Sequence, residues 1–137
     1  MMDFHSGVNF VTHSDIEIVE ADGEKVVGQI AVAPHHHQPY GVVHGGVYCT
    51  LVETLASTGA AVWAMDQGMM GCVGVHNSTD FLRSTRDGTL VGVATPVHRG
   101  RSQQIWQVEI TRQEDGKLIA RGQVRLHNLT DESVLGA

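Results

Sequence analysis

Residues 47–65 read VYCTLVETLASTGAAVWAM, nineteen positions without a proline. Gly68 and Gly71 follow and mark an end, so the stretch predicts a helix from Val47 to about Met65. At about 100° per residue, Val47, Leu51, Leu55, Val62 and Met65 fall on one broad side, with Tyr48, Val52 and Trp63 on its shoulder. A side that large and apolar has to be covered by another layer. The opposite side carries Gly46, Cys49, Thr50, Glu53, Ser57, Ala60, Ala61 and Ala64. These are small residues with one acid in their midst.

Strands flank the helix. IEIVEADGEKVVGQIAVA (16–33) reads as two strands joined at Asp22-Gly23, a pair that favours positive φ. PHHHQPYGVVHGG (34–46) is a loop punctuated by Pro34, Pro39 and Gly41. After the helix come GCVGVHNSTDFLR (71–83), TLVGVATPVHR (89–99), QQIWQVEITRQ (103–113) and KLIARGQVRLHN (117–128). Their connectors, STRDG, GRS and EDG, are short enough for antiparallel hairpins. Alternation in IWQVEI and ARGQVRLHN predicts one wet face. Two strands, one long helix and four strands predict an α+β architecture, an antiparallel sheet covering one central helix. Residues 1–13 form a short helix or an irregular arm.

The chain has 137 residues, which suits a single domain with a real core. A formal net charge of −6 argues against a general nucleic-acid binder but leaves room for a local basic pocket that takes a phosphorylated small molecule. The two cysteines, Cys49 and Cys72, form no CxxC pair and read as reduced thiols. The first ten residues lack a basic region followed by an apolar one, and no apolar run is long enough for a membrane span. The expectation is a cytoplasmic protein.

Glu53 is the residue that raises a question. A solvated helix face normally shows several charges, with Lys or Arg one turn away. Glu53 has Cys49 and Ser57 at those positions. Either it is an ordinary exposed acid, or the small face is a contact surface and the acid is a base or nucleophile awaiting desolvation. His-Gly-Gly stands directly before the helix. Gly45 and Gly46 carry unpaired N–H donors at the positive end of the helix dipole, where an anion or a polarised carbonyl oxygen can be held. The three histidines 35–37 cannot all face one ion, and no acid or cysteine is near them in sequence, so no metal site is expected. Arg83 with Arg86, and Arg99 with Arg101, read as two basic clusters flanking one hairpin, suited to a phosphate. Trp63, Trp106, His76 and His127 read as packing or polar-face residues.

QPYGVVHGGVYCTLVETLAS (38–57), with FLRSTRDG (81–88) and VHRGRSQQIWQVEI (97–110), resembles the hotdog-fold acyl-CoA thioesterases. The likeness runs from about Ile16 to Asn128. It is nearest to the branch of the phenylacetate-pathway and 4-hydroxybenzoyl-CoA thioesterases, and within it to the 1,4-dihydroxy-2-naphthoyl-CoA and enterobactin-synthesis proofreading enzymes. The resemblance implies a hotdog fold, a sheet wrapped around one central helix. It implies homodimers or dimers of dimers (homotetramers), with active sites at the subunit interface. It makes Glu53 the catalytic carboxylate and Gly45 the donor to the thioester carbonyl. Gln38 and His44 become groups that orient the thioester or the water, and Ser57 a holder of the water or of the acid. Gly46, Arg83, His98, Arg101 and Ser102 fall on the coenzyme A side. This chain departs from the pattern at Phe81, where those relatives carry a histidine, and at Gly100-Arg101-Ser102, where they read Gly-Ser-Arg.

The implied reaction is hydrolysis of an acyl-CoA, with an aromatic acyl group preferred, to the free acid and coenzyme A. The menaquinone branch or another aromatic metabolism is the implied setting. No separate cofactor is expected, because coenzyme A is part of the substrate. Two alternatives stand beside this reading: a non-catalytic acyl-CoA binding protein on the same fold, and a hotdog dehydratase or hydratase.

Overall fold

The computed structural model describes residues 7–130. In chain order it contains α1 (Phe10–His13), β1 (Glu17–Ala21), β2 (Val26–Ala31), a 3-10 turn (Pro34–His36) and α2 (Gly45–Asp66). Four strands follow: β3 (Gly71–Phe81), β4 (Thr89–Arg99), β5 (Gln103–Arg112) and β6 (Leu118–Leu129). The strands form one antiparallel sheet in the order β1-β2-β4-β5-β6-β3, and α2 packs against its inner face. This is the hotdog arrangement. The first residues of the expected N-terminal arm, 1–6, lie outside the described residues.

The sheet closes on the helix because glycines make room. Gly28 and Gly92 are register partners on β2 and β4. A Cβ on either would come within 2.5 Å of a Leu55 methyl group. Without those carbons the two strands come down on Leu55, which is fully buried. Truncating it to alanine would cost about 2–5 kcal/mol. Trp106 of β5 makes the same kind of contact at Gly59, where an added Cβ would lie 2.5 Å from the indole.

That second contact corrects the expected helix faces. Ala60 and Ala64 were placed on the open small side, yet both are fully buried, as is Ala56. Trp106 fills the space beside Gly59 and shares the core with Ala56 and Ala60, so that turn of the helix offers it small residues. Val62, Trp63 and Met65 are only half-buried. The open small face therefore centres on Cys49, Thr50, Glu53 and Ser57, with Ala61 half-buried beyond them. The helix itself starts at Gly45 rather than Val47 and ends at Asp66, with Gly68 in the left-handed region at φ 86.

Two connections differ from expectation. The turn at Asp22-Gly23 exists, but Gly23 does not take positive φ. The Asp22 carboxylate instead accepts from the N–H groups of Glu24 and Lys25, at 2.7 and 2.8 Å. Residues 82–88 do not make a hairpin. Helix α2 delivers β3 to the far edge of the sheet, so the chain must cross back over the ends of β6 and β5 to reach β4. The crossing is pinned where Leu82 and Arg83 donate to the Ile119 carbonyl and where Val43 donates to that of Thr85. It passes the start of α2 and so forms a wall of the site described next.

Candidate active site

Glu53 lies midway along α2, exposed, above the β3 strand. Its carboxyl stands over Gly74, where an added Cβ would approach to 3.4 Å. Asn77 Nδ2 donates to the Cys49 carbonyl at 3.0 Å and reaches Glu53 Oε1 at 3.5 Å. Thr79 Oγ1 donates to Asn77 Oδ1 at 2.7 Å, which fixes the amide with its nitrogen toward the helix. An open groove of about 520 Å³ runs along this face, lined by Glu53 and Ser57 with Phe10, Val11, Thr54 and Asn77 among their neighbours. Behind Ser57, burial pushes the Cys72 thiol up to about 12, and its Sγ lies 3.7 Å from the Ser57 carbonyl.

The helix start forms a second pocket, of about 300 Å³, that gathers Gln38, Gly45, Tyr48, Phe81 and Arg83. The expected pair of free donors is reduced to one. His44 caps the helix, its Nδ1 accepting from the Gly46 N–H at 2.8 Å. Among the described residues Gly45 N–H has no partner. Gly45 lies close against Phe81, and an added Cβ would come 2.3 Å from its ring. The Gln38 carbonyl oxygen accepts from the Tyr40 N–H in its own loop, and its amide nitrogen has no partner among the described residues. The Tyr48 hydroxyl is buried without a partner among the described residues, and burial raises its pKa against the opposing charge of Arg112.

Gly45 and Glu53 do not meet within one chain. They stand eight positions apart on an unbroken helix, about 12 Å along its axis. The basic residues are also divided. Arg83 follows β3, beside Ile119. His98, Arg101 and Ser102 belong to the opposite end of the sheet, where Gln103 pairs with His127. The separation is about eight strand residues, on the order of 25 Å. The expected pair of clusters flanking one hairpin therefore lies at the two ends of β4. Two of its arginines are engaged elsewhere. Arg86 bonds the Gly41 carbonyl, and Arg99 bonds the Gly23 carbonyl and the Glu24 carboxylate, at 2.6 and 2.8 Å, below Trp63.

Each of the three histidines meets a partner in the fold. His36 is buried, its Nδ1 accepting from the Ala33 N–H and its Nε2 3.0 Å from the Ser14 carbonyl. His37 Nε2 is 2.6 Å from the Arg86 carbonyl. His35 pairs with Asp15 at 2.8 Å. The fold thus brings an acid to His35 and His36 that local sequence does not show, and their ligand atoms lie within 4.8 Å of one another. Both ring nitrogens of His36 already have partners, so that cluster has no free imidazole lone pair on His36 for an ion.

Residues 40–119 match the family model of the thioesterase superfamily. That span holds Gly45, Glu53 and the β3, β4 and β5 strands around them. The chain belongs to the thioesterase superfamily. It is similar to the Mycobacterium tuberculosis protein Rv1847, with 46% identity over 123 residues, 89% of this chain and 87% of the relative. The solved structure of that protein superimposes with a TM-score of 0.87, covering 91% of this chain and 99% of the other. The 1,4-dihydroxy-2-naphthoyl-CoA hydrolase of Escherichia coli is 32% identical over 110 residues, 80% of this chain and 79% of its own. The Haemophilus influenzae thioesterase HI1161 matches with a TM-score of 0.80 at 32% identity, covering 89% of this chain and 85% of that one. This thioesterase is accordingly an enzyme that hydrolyses thioesters. Among its described residues, no helix is long and apolar enough to cross a membrane.

Sequence reasoning missed Asn77, Phe10 and Val11. Asn77 is 24 positions from Glu53, and only the β3 register brings it there. Phe10 and Val11 belong to an arm with no motif of its own. Val11 packs against the core, and the Ser14 carbonyl meets His36, so Phe10 is held at the groove mouth although its ring is exposed.

Proposed function

We propose that this thioesterase hydrolyses an acyl-CoA, with an aromatic acyl group preferred, at a site shared by two copies of the chain. The observation that carries the proposal is the separation of the free Gly45 N–H from Glu53 on one straight helix. One carbonyl cannot touch both in the same chain. It can touch both when the helix start of one protomer faces the small half-face of its partner. The β3 strand at the sheet edge, with Val73 and Val75 exposed, offers a surface for such a pairing.

In this mechanism the Gly45 N–H, supported by the dipole of a 22-residue helix, stabilises the oxyanion that forms at the thioester carbonyl. Glu53 of the other protomer either takes a proton from the attacking water or attacks the carbonyl itself to give a mixed anhydride that water then opens. Gln38 and His44 orient the thioester, and Ser57 holds the water beside the acid. The coenzyme A thiolate is a competent leaving group, so no strong general acid is required. The acyl group occupies the groove under Phe10 and Val11. Arg83 of one protomer, with His98, Arg101 and Ser102 across the site, contacts the phosphates and nucleotide. The E. coli and Listeria monocytogenes relatives named 1,4-dihydroxy-2-naphthoyl-CoA hydrolase support an aromatic acyl-CoA and a menaquinone-type setting.

The test is thiol release from benzoyl-CoA and from a fatty acyl-CoA. Wild type should release thiol, with kcat/KM higher for the aryl substrate. Hydrolysis that survives Glu53→Ala undiminished would overturn the mechanism, and a wild type that binds both thioesters without cleaving either would overturn the function.

A further inference from the structure

The turn between β4 and β5 is tied to α2 by a chain of buried amides. Asn128 is 4% exposed. Its Nδ2 donates to the Gly100 carbonyl at 2.9 Å and to the Arg101 carbonyl at 3.0 Å. Its backbone N–H donates to the Ser102 carbonyl at 2.9 Å. Its Oδ1 accepts from Gln104 Nε2 at 2.8 Å, and Gln104 is fully buried. The same Gln104 nitrogen donates to the Ala60 carbonyl on α2 at 3.0 Å, while Gln104 Oε1 accepts from the Trp106 indole N–H at 2.8 Å. Both amides are therefore fully engaged in the core.

A hairpin does not need this. The turn already closes through the Gly100 N–H and the Gln103 carbonyl, at 2.9 Å. Leucine at 128 would fill the same space without the desolvation of its amide, whereas Gln104 is also the partner of the buried Trp106 N–H. What the network adds is position. It fixes the carbonyls of residues 100–102 relative to Ala60, which is about 10 Å along the helix from Glu53. The turn presents Arg101 and Ser102, both exposed and without a side-chain partner among the described residues. Arg99, two positions before Arg101, is folded under against Glu24 instead. In a chain of net charge −6, a guanidinium held in place and left unpaired suits a phosphate.

We propose that Asn128 is the positioning residue for the phosphate-bearing end of the substrate, and that Gln104 sets its distance from the helix that carries Glu53. The proposal rests on the coenzyme A reading above.

The experiment compares benzoyl-CoA with the benzoyl thioester of N-acetylcysteamine, which has the same reacting bond but no nucleotide. Wild type should show the lower KM for the coenzyme A thioester. Asn128→Asp keeps the shape and the acceptor toward Gln104 but loses both donors to the turn. It should raise KM for benzoyl-CoA about tenfold, leave kcat within about twofold, and leave KM for the short thioester unchanged. Arg101→Ala should give the same shift, with no further shift in the double variant. Asn128→Ser is the second variant, and the one read is that whose thermal melt stays cooperative.

An equal loss on both thioesters, or no change on either, would make the network merely structural and overturn the proposal. So would unfolding of both variants. Failure of the parent reading looks different: wild type would release thiol from neither thioester. Release from both with equal KM would leave hydrolysis standing and remove only the positioning role.

Discussion

Asn77 and Glu53 meet across the helix–sheet interface, the amide nitrogen of one 3.5 Å from Oε1 of the other. The contact is directional, because Thr79 holds the Asn77 oxygen on the opposite side. Glu53→Gln keeps the shape and removes the carboxylate, whichever of its two proposed roles it plays. It should lower kcat about 10²- to 10⁴-fold with little change in KM, read by thiol release at saturating substrate. Asn77→Ala leaves the acid but frees its orientation, and should lower kcat by roughly tenfold. An Asn77 variant with wild-type kcat would show that the carboxylate needs no such support.

Phe10 is 68% exposed and lines the Glu53 groove on one side and the His44 groove on the other. A large apolar side chain fixed there by Val11 makes a wall for an acyl group. Phe10→Ala should raise KM for benzoyl-CoA about tenfold or more, the equivalent of roughly 1.5–3 kcal/mol of lost burial. Acetyl-CoA, too short to reach the ring, should be hydrolysed as by wild type. A parallel loss on both substrates would place Phe10 in folding or subunit contact rather than in acyl selection.

The helix and the strands were legible because their periods differ and because glycines at 68, 88 and 116, all at positive φ, punctuate them. The strand order was not. Where β3 docks depends on where the helix delivers it, and residues 82–88 look locally like any hairpin turn. Ala60 and Ala64 were misplaced because small residues mark either an open face or a tight contact. For Ala60, only the position of Trp106, more than forty residues on, decides between the two. Glu53 and Gly45 stood out through the isolation of one and the setting of the other before a helix. Asn77, Asn128 and Gln104 left no such trace, since every contact that matters for them is long-range.

Asp115 ties the β5–β6 connection to Arg112, with bonds of 3.1 and 2.6 Å. Arg112 also donates to Thr85 Oγ1 at 3.0 Å, so the pair braces the crossing strand beside the Gly45 pocket. The guanidinium holds the Asp115 carboxyl down at about 2, from an ordinary 3.8. The folded state therefore binds this proton less tightly than the unfolded state. The contribution to stability is full above about pH 4 and disappears as pH falls through about 2. The group is exposed, so the effect is small. Asp115→Asn should lower Tm slightly at neutral pH, and the two melting curves should converge as pH approaches 2. A gap that persists unchanged at that pH would mean the bond, not the charge, carries the stability.

The proposed division of Gly45 and Glu53 between two chains has a consequence that mixing can read. Glu53→Ala and Gln38→Ala each inactivate every site in their own homodimer, the first through the acid and the second through the group on the Gly45 side. In a dimer made of one of each, both lesions fall together in one site and the other site is whole. Dissociating an equimolar mixture and reassociating it at random makes half the dimers mixed, with one intact site in two. About a quarter of wild-type activity should return. If the two residues served one site within the same chain, every site in the mixture would keep one lesion and no activity would return. Size-exclusion chromatography of the mixture, run beside thiol release, separates a failure to reassociate from a true absence of complementation.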